Sequence, residues 1–429
     1  MIIKKPNVYE LLQGRLKIIF SHFDNVYVSF SGGKDSGVLL NMCIDYIRQN
    51  DINIKLGVFH MDYEAQYNFT TQYVDRTFQQ NQDILEIYRI CVPFKVPTCA
   101  SMFQLHWRPW EESMRESWVR ELPEKCYTAK DFEFFDEQMW DYDFQCRFGL
   151  WLHQIKNAKR TCCLVGIRTQ ESFNRWRAIH SENFNKKRFQ KYKWTHKTWD
   201  DVYNAYPIFD WLTADVWTAN GKFGYDYNRL YDLYYKAGVG IEKQRVASPF
   251  ISQARESLRL YRVIDPDMWG RMIGRVNGVN FSGMYGNSRA VGWHSAKLPA
   301  GYTWESYMHF LLSTLPDATR RNYLEKLSVS IQFWRNKGGA LSDATIEKLQ
   351  KAGIAMLPVK SPYQTFKTAI RMEYLDDIDI EEFKDIPTFK RVCICILKND
   401  HACKYMGFAP SKSERERRDR VISKYIGIY

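Results

Sequence analysis

Val26-Tyr27-Val28-Ser29-Phe30-Ser31-Gly32-Gly33-Lys34-Asp35-Ser36-Gly37-Val38-Leu39-Leu40 joins a β-rich run to a glycine turn and then to the start of an amphipathic pattern. Val38, Leu39, Met42, Cys43, Tyr46 and Ile47 recur at helical spacing, so a helix begins at the turn. Upstream, Val8, Leu11, Leu12, Leu16, Ile19 and Phe20 mark another helix over residues 7–23. Downstream, strand-like runs at Asn53 to Phe59 and Ile84 to Val92 flank a helix-like stretch from Tyr67 to Gln80. Strand, helix, strand, helix, strand in that order predicts an α/β domain with a parallel sheet and crossover helices.

Farther along, residues 98–160 break the rhythm with Trp107, Trp110, Trp118, Trp140 and Trp151, and read as a helical insertion. The strand pattern returns at Thr161 to Val165 and stops at Gly166. Past residue 251 the texture is mainly helical, with amphipathic stretches at Arg255 to Val263, Trp304 to Leu312 and Asp343 to Met356. Val392 to Leu397 reads as a late strand, and Ser411 to Arg420 as a solvated helix. The expected organisation is a domain over 1–250 and a mainly helical region over 251–429.

A glycine turn between a strand and a helix has a definite chemistry. Gly32 and Gly33 permit unusual backbone angles and close approach by an oxygen-rich ligand. The helix N-terminus then presents amides and its dipole to an anion. Ser31 and Ser36 add hydroxyl donors and Lys34 adds charge, whereas Asp35 must order the turn, cap the helix or help hold a metal. The Walker A spacing is absent. After the strand at Thr161, Gly166-Ile167-Arg168-Thr169-Gln170-Glu171-Ser172 and Arg175 follow. Arg168 and Arg175 are seven apart and would share a helix face, with Glu171 placed to orient either one. Arg177 is a weaker candidate. Asp62 and Glu64, just past a strand, lie where open α/β sheets bind ligands; Asp62 could meet ribose hydroxyls or magnesium. His60 beside them is more readily a structural histidine than a base.

The net charge of +12 favours polyanionic partners. Lys186, Lys187, Arg188, Lys191, Lys193 and Lys197 interleave with Phe189, Tyr192, Trp194 and Trp199, a pattern that suits either a nucleic-acid track over Lys186–Trp199 or a solvated hairpin. Ten cysteines include no C-x-x-C pair, which argues against a zinc ribbon or an iron–sulfur cluster. With no signal-like leader and no long apolar run, a cytoplasmic protein without a membrane segment is expected.

Ser31 to Ser36 resembles the PP-loop of the ATP pyrophosphatase superfamily, the adenine nucleotide alpha hydrolase-like group, with a HUP-like, Rossmann-like fold. More narrowly the chain resembles the phosphoadenosine phosphosulfate (PAPS) reductase family. His60-Met61-Asp62, the Gly166 to Arg175 motif and Pro207 to Trp217 each match a segment of that family over about residues 20–250. Its whole length is similar to the immunoglobulin-binding regulator A subgroup, with Lys398 to Phe408 resembling that subgroup's end. The resemblance implies ATP or PAPS with Mg2+, site residues Ser31, Gly32, Gly33, Lys34, Asp35, Ser36, Asp62, Gly166, Arg168, Glu171, Ser172 and Arg175, and a ParB/sulfiredoxin-like protein partner. Lys34, Asp35 and Arg168 are the catalytic candidates, and Asp62 is the metal candidate. One feature departs from the reductases: Cys403 sits in His401-Ala402-Cys403-Lys404-Tyr405, away from a Glu-Cys-Gly context. Cleavage of ATP between its α and β phosphates to adenylate an acceptor therefore ranks ahead of a non-catalytic nucleotide-binding regulator, and both rank ahead of thioredoxin-linked reduction.

Overall fold

The computed structural model describes residues 6–171, 179, 188–241, 244–246, 248–251, 254–285, 298–360, 368–380 and 385–408. They form two compact units, Met1–Val96 with His106–Val276, and Pro97–Leu105 with Asn277–Tyr429.

The first unit is built on the sheet. Its strands are β1 (Asn25–Ser29), β2 (Leu56–Met61), β3 (Leu85–Ile90), β4 (Thr161–Val165), β5 (Thr195–Trp199) and β6 (Val202–Ala205). Their order is β3-β2-β1-β4-β6-β5. All neighbours run parallel except β5 against β6. Val28 sits opposite both Val58 and Leu164, so β1 is central. β1 and β4 are short apolar runs and β2 is buried along its whole length, as expected of a parallel sheet covered on both faces.

Helices α1 (Val8–His22), α2 (Lys34–Gln49) and α3 (Asn68–Gln80) supply the cover. Asn7 and Glu10 form a reciprocal capping box that starts α1. Leu12, Leu16 and Ile19 then join Leu39, Cys43 and Leu164 in one core. Buried Arg15 pins α1 to the turn after β6, donating to the Pro207 carbonyl at 2.6 Å and pairing with Asp210. The sheet domain also includes α4 (Asp141–Ile155), α5 (Thr213–Phe223), α6 (Leu230–Lys236) and α7 (Pro266–Arg275).

The segment read as a helical insertion is α-helical only in α4. Before it, 106–140 runs through turns and two short 3-10 pieces, Glu112–Ser117 and Ala129–Asp131. The cause is local. Pro109 and Pro123 interrupt any helix. The Glu64 carboxylate takes the amides of Trp110 (2.7 Å) and Val119 (3.0 Å) that a helix would have used internally.

The second unit is mainly helical, with α8 (Trp304–Ser313), α9 (Asp317–Asn336), α10 (Asp343–Lys351) and α11 (Phe389–Leu397) around a small antiparallel pair, Leu357–Lys360 with Thr368–Arg371. The expected strand at Val392 to Leu397 is helix α11. Thr388 caps it, and Val392, Cys393, Cys395 and Ile396 fall on one buried face at helical spacing, packed with Trp304, Met308 and Tyr323. Six consecutive apolar residues suit a strand or a buried helix equally, and the cap decides between them. Arg255 to Val263, read as one amphipathic helix, is two short turns, Arg255–Leu258 and Tyr261–Ile264. The solvated helix read at Ser411 to Arg420 lies outside the described residues.

Glu64 is wholly buried at a positive φ of 64° and also pairs with buried Arg275 of α7 at 2.9 Å. Truncation of Arg275 to alanine would leave that carboxylate uncompensated. A loss of about 3–5 kcal/mol is expected in urea unfolding. Glu64→Gln in the same background should recover part of it.

Candidate functional site

The turn after β1 is a closed hydrogen-bonded structure. The Ser31 and Ser36 hydroxyls lie 3.0 Å apart. Ser31 N–H donates to Ser36 Oγ, Ser36 Oγ donates to the Gly33 carbonyl at 3.1 Å, and Gly33 N–H reaches Ser31 Oγ. Gly32 adopts φ +74°, and a Cβ there would stand 2.9 Å from Thr70. That conformation and that closeness to α3 both require glycine. The Gly32 carbonyl accepts from buried Asn228, which also donates to Thr70.

Gly33 is the N-cap of α2 and supplies no side-chain cap of its own. The Lys34 amide donates to the Tyr231 hydroxyl at 3.0 Å. Lys34, Asp35 and Arg168 meet here. The Asp35 carboxylate accepts from Lys34 Nζ at 2.9 Å on one oxygen and from Arg168 Nε at 2.7 Å on the other. Lys34 and Arg168 are both buried, at 7% and 2% exposure. Glu171 lies 3.8 Å from Arg168 and accepts from Arg245 at 2.7 Å. Three cations thus alternate with two carboxylates, leaving one net positive charge beside a helix N-terminus.

Gly166 explains how β4 reaches the turn. A Cβ on it would lie 3.0 Å from the Ser36 amide nitrogen and 3.2 Å from the Asp35 carbonyl. The backbone after β4 therefore runs against the first turn of α2, which sets Arg168 beside Asp35.

Of the residues singled out from sequence, Ser31 to Ser36, Gly166, Arg168 and Glu171 converge. Ser172, Arg175 and Arg177 lie outside the described residues, as do Lys186 and Lys187. Asp62 has other partners. Arg120 pairs with its carboxylate, the Glu64 amide donates to it at 3.0 Å, and Trp110 Nε1 donates to its carbonyl. Burial raises its pKa, but the Arg120 charge and hydrogen bond together with the His60 and Arg89 charges more than offset this and hold it below the usual carboxylate value. A carboxylate already neutralised by a guanidinium does not fit a metal ligand. Among the described residues no three His, Cys, Asp or Glu side chains gather for an ion. Phe189 and Trp194 are core residues, and Trp199 donates to the Cys146 carbonyl.

Asn228, Tyr231 and Arg245 carry no motif. The signal for the first two is a run dense in tyrosine from Tyr225 to Tyr235, and Arg245 has none. They arrive at the turn from nearly two hundred residues away, through α6 and the segment after it.

The phosphoadenosine phosphosulfate reductase domain profile matches residues 25–240, half of the chain, and brackets β1 through α6. The chain belongs to the phosphoadenosine phosphosulfate reductase domain family. For this family member, a domain of unknown function, DUF3440, matches residues 238–417. The uncharacterized protein YbdN of Escherichia coli strain K12 is 31% identical over 426 residues, 97% of this chain and 95% of that protein. Similar solved structures include the PAPS reductase of Candida auris in a phosphate complex, at 15% identity and TM-score 0.31 over 54% of this chain and 87% of that one. The FMN adenylyltransferase of Candida glabrata with ATP shows 15% identity and TM-score 0.31 over 54% of this chain and 62% of that one. The U34-tRNA thiolase NcsA of Methanococcus maripaludis shows 12% identity and TM-score 0.31 over 64% and 80%. No helix among the described residues of this PAPS reductase domain protein is long and apolar enough to cross a membrane.

His60 sits behind the turn, fully buried, with Nδ1 donating to the Phe30 carbonyl at 2.8 Å. Burial pushes its pKa down from 6.5 to about 4, against the pull of Asp62. Above pH 6.5 both folded and unfolded chains hold it neutral. As pH falls toward 4 the unfolded chain takes up a proton that the folded one refuses, so stability drops. Urea unfolding midpoints at about pH 7 and about pH 4.5 should separate more for wild type than for His60→Gln, because the amide has no such proton to take up.

Proposed function

We propose that this protein binds ATP with its phosphates at the PP-loop and transfers the adenylyl group to an acceptor, releasing pyrophosphate, in concert with a partner protein. The reading rests on the charge array: Lys34, Arg168 and Arg245, held by Asp35 and Glu171, stand beside the N-terminus of α2, whose N-cap is a glycine. An acceptor oxygen would attack the α-phosphorus and form the new P–O bond. The bond from that phosphorus to the α,β-bridging oxygen would break, and pyrophosphate would leave with the electron pair. The acceptor's proton would pass to solvent, since no free base stands among the described side chains of the site. In that step the developing charge lies on the leaving pyrophosphate, which is where fixed cations and amides help most.

Within this scheme Lys34 and Arg168 bind and neutralise the departing phosphates. Asp35 is a positioning residue that holds both cations before the ligand arrives. Ser31 and Ser36 keep the turn closed. Magnesium enters only as the counter-ion that the nucleotide's own phosphates carry, with no side chain assigned to it.

Sulfonucleotide reduction receives no support from Cys403. It is 1% exposed and packs in the core of the second unit with Cys395, Tyr323 and Val392. Resemblance of Lys398 to Phe408 to the immunoglobulin-binding regulator A subgroup supports a ParB/sulfiredoxin-like protein as the partner to try first.

Calorimetry with ATP is expected to show binding that Lys34→Ala weakens by roughly ten- to a hundredfold, the worth of one charge-assisted contact. With α-labelled ATP, the partner and acceptor candidates, the expected products are pyrophosphate and a labelled acceptor. Release of ADP and phosphate would overturn α,β cleavage. Binding with no turnover would favour a nucleotide-sensing regulator.

A further inference from the structure

The three cations near the turn are not equivalent. The Lys34 ammonium is held by Asp35 and lies 5.6 Å from the centre of the Tyr231 ring. Arg168 gives Nε to Asp35, and Nη1 to the Gln170 side chain at 3.1 Å and the Trp211 carbonyl at 3.5 Å. Arg245 differs in exposure and in commitment. Its side chain is 32% exposed, against 7% for Lys34 and 3% for Arg168. Its one side-chain hydrogen bond among the described residues runs from Nη1 to Glu171.

The chain around Arg245 is fixed against the turn. Tyr234 donates to the Arg245 carbonyl at 3.4 Å, and buried Gln244 donates to the Val239 carbonyl at 2.9 Å. On the other side stands Val246: a Cβ placed on Gly33 would lie 3.9 Å from its Cβ. The backbone is therefore anchored, while the guanidinium is engaged by Glu171 through one nitrogen. A guanidinium carries five donors in a planar fork, and a fork used by one carboxylate oxygen keeps donors for a phosphate. The alternation Lys34, Asp35, Arg168, Glu171, Arg245 puts those donors beyond the two buried cations. One phosphate at the turn does not need them.

We infer that Arg245 is a specificity-determining residue whose remaining donors bind a further phosphate along the ligand's chain, so that the site prefers a nucleoside triphosphate to a monophosphate. The inference rests on the nucleotide reading of the PP-loop and adds to it the group that reads chain length. Arg245 lies past residue 240, where the match to the reductase domain ends.

The test is calorimetry on the full chain with ATP, AMP, inorganic tripolyphosphate, orthophosphate and adenosine 3′,5′-bisphosphate, the weak ligands being measured by displacement of ATP. In Arg245→Gln, ATP and tripolyphosphate should bind roughly tenfold more weakly, the worth of a charge-assisted contact. AMP and orthophosphate should change less than about twofold, since they never reach the guanidinium. Arg245→Met, whose stem fills the same space, is the second variant, and thermal melting without ligand checks that both fold. An equal loss for every ligand would mean that Arg245 acts only by holding Glu171, and would overturn its role. Unchanged ATP affinity would do the same. A loss confined to the 3′,5′-bisphosphate would put the second phosphate on the ribose and overturn chain-length selection. In each of those cases the phosphate site still stands. Failure of the wild type to bind either ATP or tripolyphosphate would remove the nucleotide reading, and this inference with it.

Discussion

The site depends on one shared carboxylate. Asp35 holds Lys34 on one oxygen and Arg168 on the other, so two largely buried cations are fixed beside a helix N-terminus before any ligand arrives. Buried charges of like sign repel strongly and are tolerated only when an anion lies between them. Everything around Asp35 serves that geometry. Gly166 lets the backbone after β4 touch the first turn of α2, Gly32 bends the chain against α3, and Glu171 carries the alternation of charge on to Arg245.

A second buried charge network lies nearby and has a different task. Glu64 gathers the amides of Trp110 and Val119 and the guanidinium of Arg275, while Arg120 neutralises Asp62. These bonds tie the irregular 106–140 segment and α7 to the end of β2. The two networks look alike as lists of acids and bases. They differ in what is left over: the Glu64 network is satisfied within the protein, whereas the Asp35 network keeps an unbalanced positive charge beside a helix N-terminus.

Much of the parallel sheet was legible in the sequence, because buried central strands are short apolar runs between turn residues and α1 to α3 keep a helical period. The glycine turn was legible for the same reason, since its residues are contiguous and glycine has few other uses between a strand and a helix. The 106–140 segment was not. Its conformation follows from Glu64, dozens of residues earlier, and no local pattern records which amides a distant carboxylate will take. Helix α11 was misread because six successive apolar residues carry no period.

The sequence by itself determined the order of elements from α1 to β3, the glycine turn, and the residue types of the PP-loop, all of which depend on neighbours within a few residues. Only the tertiary structure decided which charges meet. It placed Asn228 and Tyr231 at a turn nearly two hundred residues away, set Arg245 on Glu171, and gave Asp62 to Arg120. Hydrogen bonds and ion pairs act over a few ångströms of space, and distance along the chain does not report that separation once a sheet has folded.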